Sequence, residues 1–292
     1  MNQFTPNTEN PLTGFMRQPK IYIRLPSNGN YWPAGSIEIP DNGELAIYSM
    51  TAKDELTFKT PDALLNGQAV VDVIQSCVPA IKDAWKTPNM DIDTLLIAIR
   101  LATYGEMMEV THTVPGTKEE VSHQIDLRVL LDQLSQEGQW EDTVSIADEL
   151  ICVVQPITYK DVTQSALKSF EAQRLMQSVA DDAYTEEQKI DTLNRSFGFL
   201  ADISFDLTLS SIQAIKTPTA IVEDREFISE FLRNTDKTIT EQIQKHIARM
   251  RDLNSIKPLT FSATPEQIEL GAPETYELPI RMDNSDFFVV GS

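Results

Sequence analysis

The sequence is short of cysteine, histidine and glycine, and each shortage argues against a class of function. Two cysteines and three histidines among 292 residues give no support to a disulfide framework or to a zinc site of three or four ligands. With only eleven glycines, a phosphate-binding loop is hard to build, and neither a Gly-x-Ser-x-Gly nor a His-Glu-x-x-His motif occurs. We therefore expect no catalytic residues, no cofactor and no structural metal.

Positive charge is also scarce, with 24 basic against 44 acidic side chains and a net charge of −20. Such a field repels phosphate backbones and anionic membranes. The longest apolar runs, such as 150–154, are too short to span a bilayer, and the first twenty residues lack the apolar stretch of a secretory signal. We expect a protein of the cytosol that binds neither nucleic acid nor membrane.

The composition is that of a globular chain, since 41% of the residues are hydrophobic. We predict the α+β class, with a small N-terminal antiparallel sheet packed with helices, a mainly helical half and an extended C-terminal arm. The predicted divisions are a flexible arm over 1–20, an α+β core over 21–157, a helical region over 158–256 and an extended segment over 257–292.

Local patterns predict the elements of the core. Thr60, Pro61 and Asp62 have the residue types that begin a helix, and Leu64, Leu65 and Val73 follow at helical spacing. The predicted core elements are strands over 21–25, 37–39 and 45–50, a turn over 50–56, helices over 60–79 and from 91 to about 105, a hairpin of 107–113 and 120–127, a helix over 128–136 and a strand over 150–154 that joins the same sheet.

The helical region predicts two long helices, one from Tyr159 to Val179 and one that Thr185 caps. Two further helices are predicted over 224–233 and 237–253. The second helix carries an apolar stripe of Ile190, Leu193, Phe197, Leu200, Ile203, Leu207 and Ile212. Phe199, Phe205 and Leu209 lie off that stripe, and we predict that they bind a partner protein in the helix-in-groove mode. Internal packing of the same helices is the alternative.

Few residues outside this region invite a chemical interpretation. His112 and His123 lie on the two arms of the predicted hairpin, where solvent-facing strand positions are the simpler reading. Cys77 and Cys152 fall in apolar surroundings, on a predicted helix and a predicted strand, and we expect two buried free thiols.

The order of elements over 43–105 is the most informative pattern in the chain. A strand, the segment MTAKDEL, the helix KTPDALLNGQAVVDVIQSCVPAIKDAW and a second apolar helix follow one another. This order resembles the baseplate hub and hub-assembly proteins of contractile-tailed, T-even-like bacteriophages. In proteins of this kind the hairpin can carry a Cys-x-x-Cys-Gly zinc knuckle, whereas this chain has Thr113-Val114-Pro115-Gly116.

The resemblance implies a function without catalysis. It implies a protein that forms or assembles the baseplate hub by contact with other hub or tail proteins, in the host cytoplasm during assembly and in the virion baseplate if it stays there. A tail-assembly chaperone that binds the tape measure protein is one alternative. A hydrolase that acts during infection is another, disfavoured by the missing motifs.

Overall fold

The computed structural model describes residues 12–58, 66–137, 140–178 and 185–280 of the chain. Thr60, Leu64 and Leu65 of the predicted first helix lie outside these ranges, as does Val179. Short strands and helices intermix along the described chain, which confirms the α+β class.

The strands are β1 (Pro19–Ile23), β2 (Leu45–Tyr48), β3 (Met107–Thr113), β4 (Glu120–Asp126), β5 (Thr143–Ala147), β6 (Leu150–Val154), β7 (Ile212–Lys216), β8 (Ile221–Val222), β9 (Leu259–Ser262) and β10 (Thr275–Leu278). The helices are α1 (Ala52–Phe58), α2 (Gln68–Cys77), α3 (Asn89–Tyr104), α4 (Leu127–Glu137), α5 (Tyr159–Ser178), α6 (Glu186–Ser210), α7 (Arg225–Asn234), α8 (Lys237–Leu253) and α9 (Pro265–Glu269).

The largest hydrophobic core surrounds α3. This helix buries side chains around most of its circumference, including Leu95, Leu96, Ile97 and Ile99. The β1–β2 ribbon, α2 and α4 cover it, and the same core continues into these elements. Apolar residues around a whole helix require cover on every side, so the sequence of α3 fixes it at the centre of the fold.

A buried carboxylate fixes the loop over 26–33 to the start of α3. Asp91 accepts hydrogen bonds from the backbone N–H of Ser27 (2.9 Å), the Ser27 hydroxyl (2.5 Å) and the Trp32 indole N–H (2.8 Å). Burial raises the pKa of Asp91 to about 6, although these hydrogen bonds act in the opposite direction.

A second core lies between a four-stranded sheet and two helices. The sheet has the strand order β5-β6-β7-β8, with every pairing antiparallel. Cys152, Val154 and Ile215 of this sheet share a cluster with Ile228 of α7 and Ile243 of α8. The predicted 150–154 strand therefore exists, but its expected place in the N-terminal sheet is wrong.

The C-terminal residues are more folded than an extended arm. Strands β9 and β10 pair with each other, and α9 lies between them in the chain. Their side chains form a third cluster with the β3–β4 hairpin, in which Val114, Ala272 and Tyr276 are buried. A Cβ atom at Gly116 would lie 2.3 Å from the carbonyl oxygen of Gly271, so the close approach of the two hairpins requires glycine there.

Three local predictions are wrong. The predicted turn over 50–56 is largely the helix α1, which the buried Asp54 begins by accepting hydrogen bonds from the backbone and hydroxyl of Thr51. The predicted strand over 37–39 is reduced to a single bridge between Ile37 and Ile81. Ile212, placed at the end of a helical stripe, instead begins β7.

Candidate interaction surface

Helices α5 and α6 form an antiparallel pair that carries the residues predicted to bind a partner. Thr185 begins α6 with a capping box, in which its hydroxyl accepts from the Gln188 N–H and the Gln188 side chain accepts from the Thr185 N–H. The predicted cap is thereby confirmed. The two helices pack along each other, and an ion pair joins Lys168 to Asp206 at 3.8 Å.

Few described residues of this helix pair are buried away from the end that packs against the second core. Ala172 of α5 and Ser196 of α6 are buried in the outer part of the helices, and small side chains there allow close approach of the two backbones. Larger apolar side chains in the same part stay in contact with solvent: Phe170, Leu175, Ile190, Phe197 and Phe199. The packing of the two helices thus leaves these five large apolar side chains exposed.

The three predicted partner-binding residues occupy different environments. Phe199 is 37% exposed. Phe205 and Leu209 are half-buried against the second core, and the Arg233 guanidinium lies 4.3 Å from the centre of the Phe205 ring. Phe197, which the sequence places on the packed stripe, is 60% exposed. The structure therefore exposes a stripe residue and covers two residues that lie off the stripe.

Leu209 lies between two surface depressions. One, of about 490 Å³, is formed with the polar face of α7 and includes Arg225 and Arg233. The other, of about 310 Å³, lies between α5 and α6 near Lys168 and Asp206, and Arg225 borders it as well. The Arg225 side chain spans the two by donating a hydrogen bond to the Ser210 hydroxyl at 3.0 Å. Leu209 is thus a half-buried apolar position framed by charged groups.

A cleft of about 350 Å³ separates the N-terminal core from the second core. Met90 and Asn89 line it from α3, Leu207 from α6 and Ile247 from α8, with Trp140 at one end. Within the cleft the Gln244 amide donates to the Thr208 hydroxyl at 3.2 Å. This concave surface is mixed in polarity, since Asp93, Arg251 and several hydroxyl side chains line it beside the apolar ones.

Tyr31 joins the two cores beside this cleft. Its hydroxyl donates to the Asp142 carboxylate, and its ring lies 6.2 Å from that of Trp140. The backbone of Tyr31 has a φ of 67°, which is strained for a bulky residue. Burial, together with the hydrogen bond to Asp142, raises the pKa of Tyr31 above its ordinary value.

The sequence suggested that the two hairpin histidines face solvent, but in the structure they do not. The rings of His112 and His123 stack with centres 5.3 Å apart, and Phe261 of β9 stacks on His123 at 4.0 Å. His112 Nε2 lies 3.1 Å from the Tyr276 hydroxyl. Burial and the neighbouring His123 lower the pKa of His112. The pair is part of the contact between the hairpins.

Both cysteines are buried free thiols on a helix and a strand, as predicted. Burial raises the pKa of Cys77 and of Cys152 to about 12, which leaves both thiols protonated and unreactive at neutral pH. Across the described ranges, no three His, Cys, Asp or Glu side chains are grouped so as to hold a metal ion. No described helix combines the length and apolar character needed to cross a membrane.

The sequence comparison gives the class of protein to which this fold belongs. A family described as T4 bacteriophage base plate protein matches residues 33–270, which include all three hydrophobic clusters in large part. The chain belongs to this family, and its role is structural or in assembly at the phage baseplate, among other tail or baseplate proteins. No curated protein and no solved structure matches the chain.

Sequence reasoning missed the contacts that join distant parts of the chain. The Tyr31–Asp142 hydrogen bond and the Arg233–Phe205 contact link elements that no local pattern relates. An aromatic pair in the 26–33 loop, Tyr31 and Trp32, was the one available signal of a buried loop, since large aromatic side chains are seldom left in solvent.

Proposed function

We propose that this protein is a baseplate hub protein or hub-assembly factor that acts by protein–protein contact through its helix pair. The observation that carries the proposal is the set of large apolar side chains left exposed on α5 and α6. Membership of a baseplate family supports it, since baseplate proteins act in contact with one another. No catalytic step enters the proposal.

The contact for another hub protein is assigned to the edge of α6 that carries Phe199, Phe205 and Leu209. Phe199 offers an exposed ring, while Leu209 lies in the depressions beside Arg225. Phe205 supports this edge from beneath, because it packs between the second core and Arg233. Arg225 and Arg233 line the depression beside Leu209 together with Glu226 and Glu230, so a partner helix with an apolar face and flanks of both charges would match this edge.

Substitution separates binding from folding. Phe199→Ser and Leu209→Ser, alone and together, are tested for capture of hub proteins in infected-cell extracts, with thermal unfolding measured on the same samples. Phe15→Ser removes an exposed phenylalanine elsewhere and is the matched control. We expect lost capture for the double variant, a melting temperature near that of the parent for Phe199→Ser, and normal capture for the control.

A folded double variant that captures hub proteins normally would place the contact elsewhere. Phe205→Ser is expected to lower both stability and capture, since its ring is half-buried. Mass spectrometry of purified virions then distinguishes the two forms of the proposal: a hub subunit persists at a fixed copy number, whereas an assembly factor is absent.

A further inference from the structure

The β9–β10 hairpin contacts the β3–β4 hairpin without sharing a sheet with it, since each is a separate two-stranded sheet. The third hydrophobic cluster holds the two hairpins together, with Val114, Ala272 and Tyr276 buried in it. Leu259 and Ile280, at the two ends of the C-terminal hairpin, pack against the largest core instead. The hairpin can therefore separate from β3–β4 without breaking a sheet, while both of its ends stay fixed.

The two imidazoles in this contact have ring nitrogens without hydrogen-bond partners. His112 Nδ1 and His123 Nε2 are buried, and neither has a partner in the described part of the chain. A neutral imidazole carries one N–H, whereas a charged imidazole carries two. Protonation of either ring in the closed contact would therefore leave a buried N–H without an acceptor, which costs free energy.

The groups packed around the imidazoles are apolar or aromatic. Residues that pair directly across an antiparallel ribbon share one of its faces, so Val121 opposite His112 and Val110 opposite His123 lie on the inner face with the two rings. Phe261 stacks on His123 from the other hairpin, and the Tyr276 hydroxyl lies beside His112. These neighbours favour the neutral form of both rings.

The charged side chains of the two hairpins lie away from the imidazoles. Alternation along the strands places their charged residues on the outer faces: Glu109, Glu120, Asp126 and Glu277. The charged residues in the connections between strands are exposed: Lys118, Glu119, Glu266, Glu269 and Glu274. Among the described residues of both hairpins, the titratable groups that face the pair are thus the two rings themselves and Tyr276. A facing carboxylate, which would favour a charged imidazole, is not among them.

The two rings also disfavour each other's protonation. Their centres lie 5.3 Å apart, and like charges at this distance repel. Burial and the neighbouring His123 accordingly lower the pKa of His112 from its ordinary value of 6.5. A lowered pKa stabilises the closed contact fully above about pH 6.5. That stabilisation is lost as the pH falls from there through the lowered pKa, because the separated hairpins bind the proton more tightly.

We propose that the two hairpins form a pH-sensitive clasp, which is closed while His112 and His123 are neutral and opens when they are protonated. Opening brings the charged rings into water and separates Phe261 and Tyr276 from the inner face of β3–β4. The clasp lies outside the hub-protein contact assigned to α6, so either proposal can hold without the other.

Hydrogen–deuterium exchange of the full chain from about pH 8 to about pH 5 tests the clasp, since histidine changes its charge in this range. Rates are corrected for the intrinsic pH dependence of amide exchange. We expect peptides from 259–278 to exchange several-fold faster at the acidic end. Peptides from α3 are the internal reference, and their corrected exchange should not accelerate.

Substitution of the histidines shows whether they cause the opening. The double variant His112→Gln, His123→Phe cannot take up the two protons, yet glutamine can hydrogen-bond to the Tyr276 hydroxyl and phenylalanine can stack on Phe261. Its 259–278 peptides should stay protected at every pH. His246→Gln removes the third histidine of the chain, which lies on α8 beside the Glu141 carbonyl oxygen, and should open like the parent.

Four results overturn the proposal. In the first, the parent's 259–278 peptides exchange at the same corrected rate at every pH. In the second, the double variant opens as the parent does. In the third, α3 accelerates together with the hairpin, so that the whole protein unfolds. In the fourth, His246→Gln abolishes the effect.

NMR of the parent's imidazole protons decides the question even if the double variant does not fold. We expect His112 to titrate below pH 6.5, over the same range in which 259–278 loses protection. Imidazoles that are fully protonated while the hairpin stays protected would exclude the clasp.

Discussion

Helices α3 and α6 both carry long series of apolar residues, yet they occupy opposite environments. Leu95, Leu96 and Ile99 of α3 are completely or almost completely buried, whereas Ile190 and Phe197 of α6 are mostly exposed. The difference lies in the cover that each helix receives. A sheet and two helices enclose α3, while α5 is the described element that packs along the outer part of α6. An apolar helix in this fold is therefore a core element or a contact surface according to its neighbours.

The largest test of this contrast is the removal of a buried side chain from α3. Leu96→Ala, or Ile99→Ala, deletes a side chain enclosed on all sides and should lower the free energy of unfolding by about 2–5 kcal/mol. Urea denaturation followed by circular dichroism measures the change. Variants as stable as the parent would show that α3 is not the centre of the stable core.

Asp91→Asn tests the buried carboxylate at the start of α3. The amide group cannot accept all three hydrogen bonds that Asp91 receives, so the variant should lose about 1–3 kcal/mol. The folded-state pKa, about 6, lies above the ordinary value of 3.8 because of burial. Protonation of Asp91 therefore stabilises the fold, fully below about pH 4, and this stabilisation is lost as the pH rises through about 6.

The cost of Asp91→Asn should accordingly be largest near pH 4 and should shrink towards neutral pH. Urea denaturation at several pH values between these limits measures the difference between parent and variant. A cost that is constant with pH, or that grows as the pH rises, would contradict the raised pKa of Asp91.

Tyr31→Phe removes the hydroxyl that joins the two cores and keeps the ring beside Trp140. The loss of the hydrogen bond to Asp142 should cost about 0.5–1.5 kcal/mol. Tyr22→Phe, at an exposed tyrosine of β1, is the control and should leave stability unchanged. Equal melting temperatures for parent, Tyr31→Phe and Tyr22→Phe would mean that the junction is held by other contacts.

The smallest effect is expected on the exposed part of α6. Phe197→Ala should change the free energy of unfolding by no more than about 0.5 kcal/mol, as is usual for an exposed position. Replacing a large apolar side chain with alanine should therefore destabilise the protein strongly in α3 and hardly at all at Phe197. A loss of several kcal/mol would show that Phe197 belongs to the core.

The sequence predicted α3 and α8 well because each has a strong helical pattern and clear ends. It predicted β6 at the correct residues but placed it in the wrong sheet. Its partner strand β7 begins at Ile212, and that residue also continues the apolar spacing of α6. A residue at the junction of a helix and a strand that fits both the helical and the strand spacing cannot be assigned to either from spacing alone. Only the antiparallel register of Val154 with Ile212 resolves it.

The sequence predicted which side chains of α6 lie off the apolar stripe, but not which of them are exposed. Helical rotation correctly placed Phe199 and Phe205 away from the Phe197 stripe. It could not show that the second core and Arg233 cover Phe205, since these groups come from strands and helices distant in the chain. The exposure of a side chain depends on its tertiary neighbours, and helical spacing alone gives no information about them.

The contact between the β3–β4 and β9–β10 hairpins also has a consequence for synthesis, because one hairpin is made long before the other. His112 and Tyr276 are 164 residues apart, and a ribosome that adds about 5–20 residues per second needs roughly 10–30 s to cover that distance. The β3–β4 hairpin therefore leaves the ribosome long before the strands that cover it. During that interval its inner face, with both imidazoles, is open to chaperones, and a nascent chain stalled before residue 259 would keep it so.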